Sequence, residues 1–325
     1  MRKQMSNLWK SAFRMGGAVA ATALFAFAQG GSTQPGAVNY VEGAVTLNGQ
    51  NLTAKSVGSV QVEPGQILQT GQGKAEVLLT PGIFVRLDDN SALAMTSNSL
   101  TNTAIQLQRG RALMEVDLIE KENHVVVAEN GATVQVEKKG VYQLDANTPS
   151  VQVFDGKLAV TVNDRTIDLG KGKQLVIASG AKLKPQSFDT HQGGELYAWS
   201  KLRSEYMAEA NLSSARTIVV NNPGWYGTGW YWNPWFDSWA FVPGAGYFYN
   251  PFGFGFYSPA FYAYSYPGFY GFRGGYGIRP GHVGYGYGFR GGVRAATPAP
   301  AFRSAGGFAA AHSAGFAGGH FGGRR

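Results

Sequence analysis

The amino-acid sequence predicts an all-β protein, either a β-sandwich or a short β-solenoid, followed by one helix and a largely disordered tail rich in aromatic residues and glycine. Three observations carry that expectation. From Val38 to Ile177, turn residues interrupt short alternating runs about every ten positions. Helical spacing of apolar residues appears later, around residues 193–211. From Gly271 onward the chain is low-complexity, dominated by glycine, aromatics and scattered arginines.

The strand pattern is clearest where alternation is strict. "ATVQVEK" places Val134 and Val136 on one face and Thr133, Gln135 and Glu137 on the other, and "SVQVF" repeats this with Val151 and Val153 against Ser150 and Gln152. Each such strand has one face to bury. Asn130-Gly131 and Asp155-Gly156 each lie between two apolar runs, in pairings that tolerate the positive φ angles of type I′ turns, so both predict β-hairpins. Asp88, Asp89 and Asn90 stand together in "LDDNSALAM". They lack the spaced oxygen ligands of a calcium loop, and a plain turn is expected.

The ends of the chain differ from its middle. Arg2, Lys3, Lys10 and Arg14 precede an uncharged stretch, Met15 to Phe27, that closes on Ala26-Phe27-Ala28, the layout of a secretory signal peptide over residues 1–28. The apolar run is shorter than a membrane span, and no transmembrane segment is expected in the mature chain. The protein is therefore expected to be exported, to the periplasm or the cell surface. Its formal net charge of +8 belongs to the signal and to residues 231–325, where seven arginines stand against Asp237, so the middle is no platform for nucleic acid. With no cysteine, the folded part must rest on its own core.

The blocks "YVEGAVTLNG", "VEPGQILQTGQGKAEVLLTPGIFVRLDDNSALAM", "IQLQRGRALMEV", "VQVFDGKLAVTV" and "LGKGKQLVIA" resemble, in order, those of the FecR-type extracytoplasmic domain. The most specific is Gly65-Gln66-x-Leu68-x-Thr70-Gly71, a structural motif of that family. The resemblance implies a FecR-like β domain over residues 29–185. Well-known relatives are transmembrane regulators that pass a signal from an outer-membrane transporter to a sigma factor. With about 14 residues ahead of its short apolar segment, this chain is expected to use the domain for contact with a protein or ligand in the envelope.

Residues 186–215 form the expected helical segment, with Leu196, Trp199, Leu202 and Tyr206 as an apolar stripe that packs on the β domain. Residues 216–265 follow as a module rich in Trp, Tyr and Phe, and residues 266–325 as a Gly/Arg tail. Between Gly224 and Phe272 there is no leucine, no isoleucine and one valine, too few aliphatics to fill the gaps between rigid rings. Residues 225–258 are therefore expected to form small strands or turns lying against the rest of the protein while still exposing several rings. The candidate adhesion residues are Trp225, Trp230, Trp232, Trp235, Trp239, Tyr231 and Phe236.

No catalytic constellation is legible. The five histidines, His124, His191, His282, His312 and His320, show no zinc spacing, and neither a nucleophile elbow nor a phosphate loop is present. No enzymatic activity, cofactor or metal is expected. The reading is a non-enzymatic, envelope-associated binding or scaffold module whose partners are an envelope protein or polysaccharide, with self-association through the aromatic tail. Two alternatives stand beside it: a glycan-binding module using exposed tryptophans, and a periplasmic component of a cell-surface signalling system.

Overall fold

The computed structural model describes residues 34–177, 183–221 and 227–265; the expected signal peptide, Trp225 and the Gly/Arg tail lie outside them. Where residues alternate and turns intervene, strands form. β1 (Val38–Leu47) turns through Asn48-Gly49, both at positive φ, into β2 (Gln50–Leu52). Then come β3 (Ile67–Leu78), β4 (Ile83–Leu87), β5 (Ala92–Asn98), β6 (Asn102–Arg109) and β7 (Arg111–Val116). A second run comprises β8 (His124–Glu129), β9 (Ala132–Val136), β10 (Gly140–Asp145), β11 (Ser150–Asp155), β12 (Lys157–Val162), β13 (Arg165–Gly170), β14 (Lys173–Val176) and the short β15 (Gln186–Ser187).

These fifteen strands belong to one sheet, ordered β13-β12-β9-β8-β6-β5-β3-β4-β7-β10-β11-β14-β15, with β1 beside β3 and β2 beside β1. Its pairings are antiparallel except that of β6 with β8, whereas a solenoid would stack its strands in parallel register. One face of the sheet wraps a continuous aliphatic core that runs from Val38 and Val77 through Val85 and Met114 to Val134, Val153 and Leu175. The two branches meet across that core, so the sheet behaves as a sandwich made from a single bent sheet.

The Asn130-Gly131 hairpin forms as expected, joining β8 to β9 with both turn residues at positive φ, 44° and 78°. Asp155-Gly156 does not make a hairpin. β11 pairs with β10 and β14, while β12 pairs with β9 and β13, so the chain uses Gly156 to cross from one branch of the sheet to the other. The crossing is too tight for a side chain: at φ 95°, a Cβ on Gly156 would overlap the Tyr142 hydroxyl. That hydroxyl donates to the Lys138 carbonyl and accepts from the Lys157 N–H at 3.1 Å, which ties down the corner. The second hairpin of this region turns instead at Asn163-Asp164, between β12 and β13, again with both residues at positive φ.

Helix α1 (Gly194–Asn221) runs past the stop expected near Asn211. Its last turns are retained because Ser214, Ala215 and Ile218 are buried, and such packing outweighs the weak helix preference of serine. The buried face also differs from the expected stripe. Leu196 is buried, but Leu202 and Tyr206 are about half exposed, and the face turned inward carries Ser200, Arg203, Ser204, Met207, Ala210 and Asn211.

Beyond the helix, β16 (Gly229–Asn233) and β17 (Ser238–Val242) make one hairpin, β18 (Tyr247–Tyr249) and β19 (Gly255–Tyr257) a second, and α2 (Pro259–Ser265) follows. Together with α1 they cover the sheet's other face. Trp230, Phe241 and Phe256 pack there against Phe84 and Leu78 of the sheet and Met207 and Ala210 of the helix. The missing aliphatics are thus supplied partly by neighbouring elements, and edge-to-face ring contacts such as Phe84 with Trp230, centroids 5.3 Å apart, fill much of the remainder.

Candidate functional site

Alternation along β3, β4 and β7 sends Ala75, Val77, Val85, Leu87, Met114 and Val116 into the aliphatic core, and it must therefore send Glu76, Arg86 and Glu115 to the opposite face. Glu76 and Arg86 stand directly across from each other in the β3–β4 register. On a bare sheet these would be solvated charges. Here they are fully buried under α1 and the aromatic hairpins.

Burial of such charges is tolerable only if each is paired and hydrogen-bonded. The Arg86 guanidinium donates from Nε to Glu76 at 2.8 Å and from Nη1 to Glu115 at 2.6 Å. Arg203 of α1 donates to the other Glu76 oxygen at 3.0 Å and lies 4.1 Å over the Tyr40 ring. The second oxygen of Glu115 accepts from Ser204 of α1 at 2.6 Å and from Asn250, after β18, at 2.7 Å. Two carboxylates thus meet two guanidiniums, with serine and asparagine supplying the remaining donors. Burial pushes the Glu76 carboxyl upward, but Arg203 and Arg86 together outweigh it and hold it at about 2.

Asp117, two residues beyond Glu115, has no cation to pair with closely. Burial and then the Glu115 carboxylate beside it push its carboxyl well above the usual range.

Asparagines fasten the rest of the cap. Asn39 of β1 donates to Glu76 and to the Trp239 carbonyl, and its own carbonyl accepts the Trp239 N–H at 2.8 Å. Asn211 of α1 bridges the Phe241 and Tyr257 carbonyls and accepts the Tyr257 N–H. Asn233 donates to the Ala210 carbonyl and to Ser214. Trp232 lies against Gly58 of the β domain, where a Cβ would overlap the ring. Helix and hairpins are therefore a built part of the same body as the sheet.

The structure sorts the candidate adhesion residues by environment. Trp230 is buried in the cap core, which removes it from the surface. Trp232 and Trp239 pack edge to face at 5.5 Å and, with Tyr231 and Phe236, are half-buried. Trp235, at the β16–β17 turn, is 84% exposed. The signal missed in the sequence is the tyrosine set beyond the tryptophans: Tyr247, Tyr249 and Tyr264 are 52%, 60% and 79% exposed. Two-residue spacing in "YFY" was enough to predict that Tyr247 and Tyr249 share a face.

Asp88, Asp89 and Asn90 form a turn, and Asp88 is held by Lys74 at 3.2 Å and Arg111 at 2.5 Å. Among the described residues no group of three or more His, Asp or Glu side chains is placed to hold a metal ion, and no helix is long and apolar enough to cross a membrane. His124 is exposed, with its ring 3.3 Å from the Thr101 carbonyl. A recess of about 160 Å³ beside β11, floored by Phe154 and Tyr197, has its rim charges Asp155 and Lys171 already paired at 3.0 Å.

Residues 66–159 match the family model described as FecR protein. Two crystal structures of a candidate anti-sigma factor from Parabacteroides distasonis are similar to this chain. The identities are 18% and 17%, each with a TM-score of 0.36, covering 42% of this chain. The chain spans 64% of the length of those proteins. A search of curated proteins finds no match.

Proposed function

We propose that this chain, whose residues 66–159 are a FecR domain, is a non-enzymatic module that binds in the cell envelope, exported to the periplasm or cell surface, with its aromatic C-terminal region as the adhesive part. The observation that supports the reading is the cap. α1 and the two hairpins are fixed to the sheet by a buried ionic network, while Trp235, Tyr247, Tyr249 and Tyr264 remain outside. Fixed rings lose little conformational freedom when they bind, so they suit adhesion. Envelope protein or polysaccharide is the expected partner, and rings of this kind also permit self-association.

Co-sedimentation of the exported chain with envelope fragments at low and high salt tests this. Pelleting that survives salt supports ring-mediated adhesion, release by salt transfers the role to the tail arginines, and a chain that stays soluble and monomeric overturns the reading. A second reading, a component of a cell-surface signalling system, is favoured by the FecR match itself. A pull-down that recovers an envelope receptor or regulator would support it.

A further inference from the structure

Among the described residues, the exposed aromatic residues beyond α1 are not equivalent. Trp235 stands on the β16–β17 turn, whereas Tyr247 and Tyr249 lie side by side on β18, ring centroids 6.2 Å apart. Tyr247 continues onto α2, with its centroid 4.5 Å from that of Phe261, and it lies nearly parallel to Tyr257 at 16°. Tyr264 is three residues beyond Phe261, on the same side of the helix. The result is a ridge of rings in which Tyr249, Tyr247 and Phe261 touch in succession and Tyr264 stands exposed about one helical turn beyond Phe261.

We propose that this ridge is a binding site for a neutral polysaccharide, a chain of hexoses whose hydroxyls are mostly equatorial and whose ring faces are therefore C–H surfaces. The proposal rests on the envelope-binding reading above and names the site and the partner within it. Three features select that partner. The segment that builds the ridge, residues 247–264, has no charged side chain and so itself offers no cation to a phosphate polymer or an anionic lipid headgroup. The exposed rings are tyrosines, which present an apolar face for stacking and a hydroxyl for exchange of hydrogen bonds with sugar hydroxyls. The ridge is made of neighbouring rings open to solvent, which fits successive units of a polymer better than an isolated small molecule, since small molecules favour enclosed concave sites.

Affinity electrophoresis of the intact exported chain in native gels containing hydroxyethylcellulose, with gels lacking it as reference, tests the site. Retardation is expected, unaffected by salt. The double variant Tyr247→Ala with Tyr249→Ala is expected to bind at least about fivefold more weakly per ring lost, by analogy with bases stacked on aromatic side chains. Tyr247→Phe with Tyr249→Phe keeps the rings and should retain part of the retardation. Because the replaced side chains are exposed, an unchanged thermal transition will show that the variants are folded. Absence of retardation, retardation indifferent to Tyr247 and Tyr249, or binding only to phosphatidylglycerol vesicles would overturn the proposal. If the intact chain pellets with envelope fragments yet ignores the polysaccharide, this proposal falls and the adhesion reading stands. If neither occurs, both fall.

Discussion

Arg203 of α1 donates to Glu76 of β3 at 3.0 Å across 127 residues of sequence, and this contact ties helix α1 to the sheet. Arg86 holds the same carboxylate and Glu115 besides. The two arginines therefore have unequal roles. Arg86→Met leaves two buried carboxylates short of their cation and should cost about 3–5 kcal/mol, measured by urea unfolding. Arg203→Met leaves Glu76 still paired to Arg86 and should cost less. Equal losses would mean that the network is not the two-sided arrangement described.

The depressed Glu76 carboxyl makes stability sensitive to acid. Its folded value of about 2 lies below that of the unfolded chain, so the stability it contributes is complete above about pH 4.5 and lost as pH falls toward 2. Glu76→Gln should flatten the acid limb of a stability-versus-pH curve while lowering stability at neutral pH.

Glu129 has the opposite sign. Burial raises its carboxyl to about 8, against the Ser150 backbone N–H and the Asn130 side chain, which favour the charged form. The folded chain holds a proton that the unfolded chain releases, so stability is complete below about pH 4.5 and declines as pH rises through 8. Glu129→Gln should remove that decline and leave the variant about 4–5 kcal/mol more stable than the parent at pH 9, relative to their difference at pH 4. Parallel curves for the two proteins would refute the assignment.

Tryptophan environment can be read by truncation. Trp230→Ala opens the cap core against Phe84 and Phe241 and should cost about 3–5 kcal/mol. Trp235→Ala, at an 84% exposed turn position, should change stability by less than about 0.5 kcal/mol. Thermal or urea unfolding checks both.

Two glycines at positive φ separate turn strain from crowding. Gly131 faces open space at φ 78°, so Gly131→Ala should cost only the backbone strain, about 1 kcal/mol. Gly156→Ala adds a clash with the Tyr142 hydroxyl at the crossing between the two branches of the sheet and should cost clearly more. Equal costs would argue against the tight crossing.

By itself the sequence determined the local features: the strands, the Asn130-Gly131 hairpin, the presence of one helix and the placement of an aliphatic-poor aromatic segment after it. These depend on alternation, spacing and turn chemistry over a few residues, and such signals survive without knowledge of the fold. The tertiary structure decided which branch of the sheet β12 joins, which face of α1 is buried and which rings stay outside. Nothing near Leu202 or Tyr206 reveals that α1 will turn Arg203 and Ser204 inward. That choice is imposed by Glu76 and Glu115, which the alternation of β3 and β7 places on the covered face and which cannot be buried without donors. Likewise Trp230 and Trp235 are indistinguishable in a run of rings, and only the cap's contact with Phe84 hides one while the turn exposes the other. Burial is set by partners distant in sequence, and a local pattern carries no record of them.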